Sequence, residues 1–205
     1  MFSENLKMLL AAAAVIGSVV IGFQKCSTDH GHARLPGSPV VGEPEQDERV
    51  RREPFTRGAY TLAPFARFTV RARLLRAETY RLGREAELSP IDFALGWNDM
   101  SNDAVLARLD ISQGNRFYFY RWQDAPPIPV EAIVRSSANM HLIPANEAVR
   151  RQLERVRPGA TVTLVGWLVD VSAPDGWRWQ SSRTRSDSGN GACELVFVEE
   201  VYVET

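Results

Sequence analysis

Three stretches of the 205-residue chain gather side chains able to do chemistry. Between Arg135 and Pro144 the run RSSANMHLIP places Ser136, Ser137, Asn139 and His141 within six residues. An imidazole among hydroxyls suits base-assisted attack, with His141 as general base and Ser137 as nucleophile. No Gly-x-Ser-x-Gly elbow surrounds these serines, so the same residues also read as turn formers that bond their own backbone. Cys193 is the second candidate, a thiol that could pair with His141; on one strand face with Leu195 and Phe197 it also reads as a small buried hydrophobe. Third comes RWQSSRTRSDSGNG, residues 178–191. Here Arg178, Arg183 and Arg185, with nearby hydroxyls, suit a phosphate or carboxylate, because guanidinium donates as a planar fork. Trp177 and Trp179 add flat faces for a sugar or base. In the alternative reading this is a solvated hairpin whose arginines pair with Asp187 and Glu194, turning at Asn190-Gly191.

Composition narrows the classes. With 24 Lys plus Arg against 25 Asp plus Glu, the chain is not a generally basic nucleic-acid binder. A hydrophobic fraction of 44% is enough to build a core. Two cysteines make neither a disulfide framework nor a multi-thiolate zinc site. Lys7 and Lys25 are the only lysines, so every later cation is arginine.

Residues Met8 to Phe23 are uncharged and mostly apolar, flanked by those two lysines. Sixteen helical residues span about 24 Å, near a bilayer's hydrocarbon thickness once Lys7 and Lys25 snorkel. No small-residue cleavage site follows the run, and Phe23-Gln24-Lys25 before Cys26 does not suit lipoprotein processing. Residues 1–25 are therefore expected to be an uncleaved signal anchor, a single pass through an inner membrane with the domain in the periplasm. Residues 26–58, with four prolines and four glycines, read as a flexible linker. Asp29, His30 and His32 within it have metal-ligating types but no preorganisation, so neither metal nor cofactor is expected.

A globular β-rich domain then fills residues 59–205. From Phe65 to Leu75, Phe68, Val70, Ala72 and Leu74 alternate with Arg67, Arg71 and Arg73, predicting a strand with an arginine-studded outer face. Ser89 and Pro90 predict a short helix over 90–95, and Asp103 to Leu109 a second. Asn115 to Trp122 reads as an aromatic strand and Ala132 to Ser137 as a weaker one. Asn146 caps a helix carrying Val149, Leu153 and Val156, ended by Pro158-Gly159. Strands follow over Thr161–Val171, bent at Gly166, over Trp177–Thr184 and over Cys193–Val203. The sum is an α+β domain, mostly antiparallel β, in the form of a small barrel of the oligonucleotide/oligosaccharide-binding (OB) type plugged by the Asn146 helix.

The segments AELSPIDFALGWNDMS, RSSANMHLIPAN, the G-x-x-V-x-L-x-G-x-L-V-D-V run from Gly159, and DGWRWQSSRTRSDSGNGACE resemble an uncharacterised family of membrane-anchored proteins from Gram-negative bacteria. The resemblance spans Tyr80 to Glu200; it implies an envelope setting and brings no reaction, cofactor or catalytic residue with it. The expected function is a non-enzymatic, membrane-anchored binding or assembly module. Its arginine-rich surfaces, Arg67, Arg71 and Arg73 on the strand and Arg178, Arg183 and Arg185 on the loop, would contact a partner protein at the membrane or a small anionic ligand. One alternative is an envelope hydrolase using His141 with Ser137 or Cys193. Another is a single-stranded nucleic-acid module stacking bases on Phe117, Tyr118 and Tyr120; 17 Arg facing 18 Asp plus Glu from Ala59 onward argue against it.

Overall fold

The computed structural model describes residues 39–184 and 193–204. The expected membrane span, Cys26, the Asp29/His30/His32 group and Arg185 lie outside these residues. Among the described residues no helix is long and apolar enough to cross a membrane.

The domain is α+β and mostly antiparallel. In chain order it runs β1 (Glu45–Asp47), β2 (Phe55–Arg57), β3 (Tyr60–Thr79), α1 (Arg84–Leu88), β4 (Ile91–Gly96), a 3₁₀ turn (Asn98–Ser101), α2 (Asp103–Leu106), β5 (Asp110–Gly114) and β6 (Phe117–Arg121). There follow α3 (Val130–Arg135), β7 (Ser137–Pro144), α4 (Glu147–Arg155), β8 (Thr161–Ser172), β9 (Arg178–Trp179) and β10 (Glu194–Glu204).

Five strands close into a ring, β3-β4-β7-β10-β8, because β8 also pairs with β3. Every neighbouring pair is antiparallel except β7 with β10, which run parallel. β3 serves two partners: its first part pairs with β8, and from Arg73 it pairs with β4. Register shifts at Phe65 and Leu75 let it turn that corner, and Pro64, which has no N–H to give, sits at the first of them. Alternation along β3 places Phe68, Val70, Ala72 and Leu74 in the ring's interior, where they meet Phe93, Leu95, Met140, Leu142, Val162, Leu164 and Val196. Helix α4 adds Val149 and Leu153 to the same cluster. Its cap is the expected one, Asn146 Oδ1 accepting from the amides of Ala148 and Val149.

Two further clusters coat the ring's outer side. Leu62, Ile143, Trp167, Val169, Leu195 and Phe197 form one. The other lies under the separate β5–β6 hairpin and joins Leu75, Ala94, Met100, Leu106, Ile111 and Ile133, with Tyr118, Tyr120 and Trp122 packed against it.

Three sequence expectations are corrected. Residues 90–95 are strand β4, not a helix: all six residues of Ile91–Gly96 are buried, and Ser89 bonds the Ile91 carbonyl instead of capping. A short buried run carries no period, so burial between two partner strands overrides the local Ser-Pro signal. Residues 130–135 are helix α3, launched from Pro129, and the strand expected there begins only at Ser137. Within the stretch read as linker, β1 and β2 pair with β3, and Val40 is 1% exposed with its amide on Ser101 Oγ at 2.8 Å. The two strands are three residues long each, too short to show a period.

The pairing of β8 with β10 shifts at Glu199, and this bulge turns the side chain toward Arg52, Arg67 and Trp167 Nε1. Burial acts to raise the Glu199 carboxyl, but Arg67 and Arg52 outweigh it and hold it below the usual carboxylate range. A depressed carboxyl stabilises the fold while ionised, and that contribution is lost as pH falls through its folded-state value. Wild-type protein is therefore expected to lose urea resistance below about pH 4 more steeply than Glu199→Gln. Parallel pH profiles for the two would remove the assignment.

Candidate functional site

β4 and β7 lie side by side with Asp92 opposite His141 and Ala94 opposite Asn139. Asp92, His141 and Asn139 therefore share the ring's outer face, since Phe93 and Met140 point inward. Asp92 is 0% exposed, which for a carboxylate requires paired charge or full hydrogen bonding. It has both. Oδ1 accepts from Arg116 Nη1 at 2.7 Å, and Oδ2 lies 2.9 Å from His141 Nδ1. Because a carboxylate only accepts, the Nδ1–H of His141 donates to it.

Arg116 arrives from the hairpin. Gly114 pairs with Phe117, so Asn115 and Arg116 form a two-residue turn, and their φ values of 52° and 69° are both left-handed. Such turns favour glycine at the second position, and a residue with a Cβ there costs about 1 kcal/mol. The contacts of Arg116 offset this. Nη1 also reaches the Ser89 carbonyl at 2.9 Å, the guanidinium carbon lies 3.8 Å from the centre of the Tyr80 ring, and the Arg116 amide donates to Tyr80 Oη at 2.9 Å. Its carbonyl accepts from Asn139 Nδ2 at 2.9 Å, while Gln113 Nε2 holds Asn139 Oδ1 at 2.6 Å. Cys193 extends the network: its thiol donates to the Arg116 carbonyl at 3.7 Å and accepts from Asn139 Nδ2 at 3.8 Å.

Over this floor opens a cleft of ≈ 390 Å³ lined by Glu85, Arg116, Phe117, His141, Arg178, Trp179, Gln180 and Cys193. Trp179 reaches it because the Asp175-Gly176 turn brings β9 back against β8. Its ring centre is 5.0 Å from that of His141 and 5.6 Å from the Arg116 guanidinium carbon. A larger hollow of ≈ 670 Å³ beside Arg108, Asp110, Arg121 and Asp124 contains neither imidazole nor thiol.

The three stretches singled out in the sequence thus contribute His141, Cys193, Arg178 and Trp179 to one cleft. Other candidates lie elsewhere. Ser137 is four strand residues from His141, about 13 Å, and its hydroxyl donates to the Ile133 carbonyl while meeting Tyr118 Oη at 2.5 Å. Burial pushes the Tyr118 hydroxyl far up, outweighing the opposing Ser137 bond. Arg67 is bound to Glu199, Arg71 to Glu204 at 2.6 Å, and Arg73, only 2% exposed, to Asp103 at 2.9 Å. Arg183 pairs with Asp170 at 2.6 Å and stacks on Phe65 at 3.9 Å. Trp177 packs against Tyr60 and under Arg84. Of the aromatic trio Phe117, Tyr118 and Tyr120, only Phe117 lines the cleft.

Sequence reasoning missed Asp92, Arg116, Glu85 and Gln180 as members. Asp92 carried a signal, a single acid inside the apolar run Ile91–Leu95, which is costly anywhere except opposite a partner. Among the described residues no three His, Cys, Asp or Glu side chains gather as a metal site. No family model, curated protein or solved structure matches the chain.

Proposed function

We propose that this chain is a non-enzymatic binding module of a bacterial envelope, anchored in the inner membrane by residues 8–23 and facing the periplasm, whose cleft receives an anionic group of a ligand or partner protein. The carrying observation is the place of the cleft. Taken in chain order, the ring strands run first, second, third, fifth, fourth and back to the first, with third and fifth parallel and a helix between third and fourth. That order supports reading the ring as an OB-type barrel. In such barrels ligands bind across the second and third strands, flanked by the loops joining first to second and fourth to fifth. The cleft has this position: His141 comes from the third strand, Glu85 from the first of those loops, and Arg178, Trp179 and Cys193 from the second.

The floor favours holding over reacting. Asp92, His141, Arg116 and Asn139 satisfy one another, and the Cys193 thiol donates to the Arg116 carbonyl. At the rim Arg178 is exposed and has no carboxylate partner among the described residues. A nucleic-acid groove would need several free cations along its length, whereas Arg67, Arg71, Arg73 and Arg183 are each committed to an acid. The N-terminal apolar run and the family resemblance support the envelope setting.

Two measurements test the proposal. Calorimetric titration of the detergent-solubilised full chain with citrate and with inorganic phosphate is expected to show binding that Arg178→Ala weakens by about tenfold or more. Identical isotherms for both proteins would overturn the site. An alkaline phosphatase fused after Thr205 is expected to be active; an inactive phosphatase with a bright cytoplasmic fluorescent fusion would overturn the topology.

A further inference from the structure

We infer that the cleft takes a short acidic sugar, one six-membered ring lying against Trp179 with its carboxylate on Arg178; this rests on the cleft being the binding site proposed above. Three features select that chemistry. The first is charge. Arg178 stands at the rim, while the Arg116 charge is spent on Asp92, and Glu85 lines the same rim. Among the described residues one unpaired cation beside one acid accommodates a single negative charge and repels a polyphosphate, so a nucleotide fits poorly.

The second is the balance of donors and acceptors. Glu85 presents a carboxylate that only accepts, Arg178 a guanidinium that only donates, and Gln180 an amide that does both. A wall that holds both kinds suits groups that both donate and accept. Sugar hydroxyls supply several such groups from a compact body, whereas an acidic peptide offers one amide N–H per residue.

The third is shape. Trp179 is steadied by His141 and Arg116, both tied to the two oxygens of one carboxylate, so its indole is a preorganised platform for the apolar C–H face of a sugar ring. At ≈ 390 Å³ the cleft lies toward the small end of ligand pockets, which span about 300–1,000 Å³, and suits one or two rings.

The test uses the detergent-solubilised full chain and tryptophan fluorescence, with digalacturonate, its uncharged methyl ester, citrate, and a dinucleotide as probes. Digalacturonate is expected to bind at least tenfold more tightly than its ester, citrate or the dinucleotide. Arg178→Ala should abolish the preference for acid over ester, and Trp179→Leu should weaken both sugars, with Trp179→Phe restoring most of the loss. Digalacturonate binding no more tightly than citrate, with citrate still sensitive to Arg178→Ala, overturns the sugar assignment and leaves the anion site standing. A dinucleotide binding more tightly than either sugar overturns it in favour of nucleic acid. If neither citrate nor digalacturonate responds to Arg178→Ala, the underlying binding site falls as well.

Discussion

Gly166→Ala is expected to destabilise the domain by about 3 kcal/mol or more. Gly166 lies in β8, opposite Phe68 of β3 on one side and Val198 of β10 on the other. A Cβ at this position would stand 1.9 Å from the Phe197 carbonyl oxygen and 2.9 Å from its carbon. Both are backbone atoms in a strand paired on its far edge with β7, so no side-chain rotation relieves the overlap and the ring itself must open. Overpacking a core commonly costs about 1–3 kcal/mol, and a clash with paired backbone belongs at or above that upper end. A domain of ordinary stability has only about 5–15 kcal/mol to lose. Urea unfolding followed by tryptophan fluorescence should show the midpoint fall. Gly114→Ala is the control, because nothing lies within 4 Å of its added methyl. It should shift stability by no more than about 0.5 kcal/mol. Wild-type stability in Gly166→Ala would mean the β8–β10 pairing is wrong.

Arg116→Ala is the second large effect, expected to cost about 3–5 kcal/mol, because it strands a fully buried carboxylate. The penalty belongs to Asp92 left without its guanidinium, more than to the pair's own net worth. Asp92→Asn added to Arg116→Ala should therefore recover a substantial part of the loss, since an amide needs no counter-ion. Arg116→Gly separates charge from backbone: it also removes the guanidinium but relieves a φ of 69°, so it should be about 1 kcal/mol less damaging than Arg116→Ala. A loss under about 1 kcal/mol for Arg116→Ala, or no recovery in the double variant, would show that the hairpin tip does not hold Asp92.

How the fold could be read from sequence follows element length. β3, β8 and β10 have 20, 12 and 11 residues, enough for alternation to stand out, and α4 carries both a cap and an apolar face. β1 and β2 have three residues each and exist because β3 offers them an edge. β4 is buried on both faces, so it has no alternation to show. Arg73 illustrates the same boundary on a single residue. Its place in the alternating row put it on an exposed face, yet the 3₁₀ turn and α2 cover it and supply Asp103 and the Ser101 carbonyl.

For the site, residue type was legible and neighbourhood was not. His141, Cys193, Arg178 and Trp179 are the kinds of side chain that mark a site, and their chemistry needs no coordinates. The sequence alone therefore determined the long strands, the capped helix, a neutral and arginine-dominated domain, and the short list of reactive side chains, because periodicity, capping and composition act over a few residues. Tertiary structure decided that β7 lies parallel to β10 and antiparallel to β4, and that a strained hairpin tip delivers Arg116 to Asp92. Those contacts join residues 24 to about 100 positions apart, and their free energy exists only once the ring closes and water is excluded from the carboxylate.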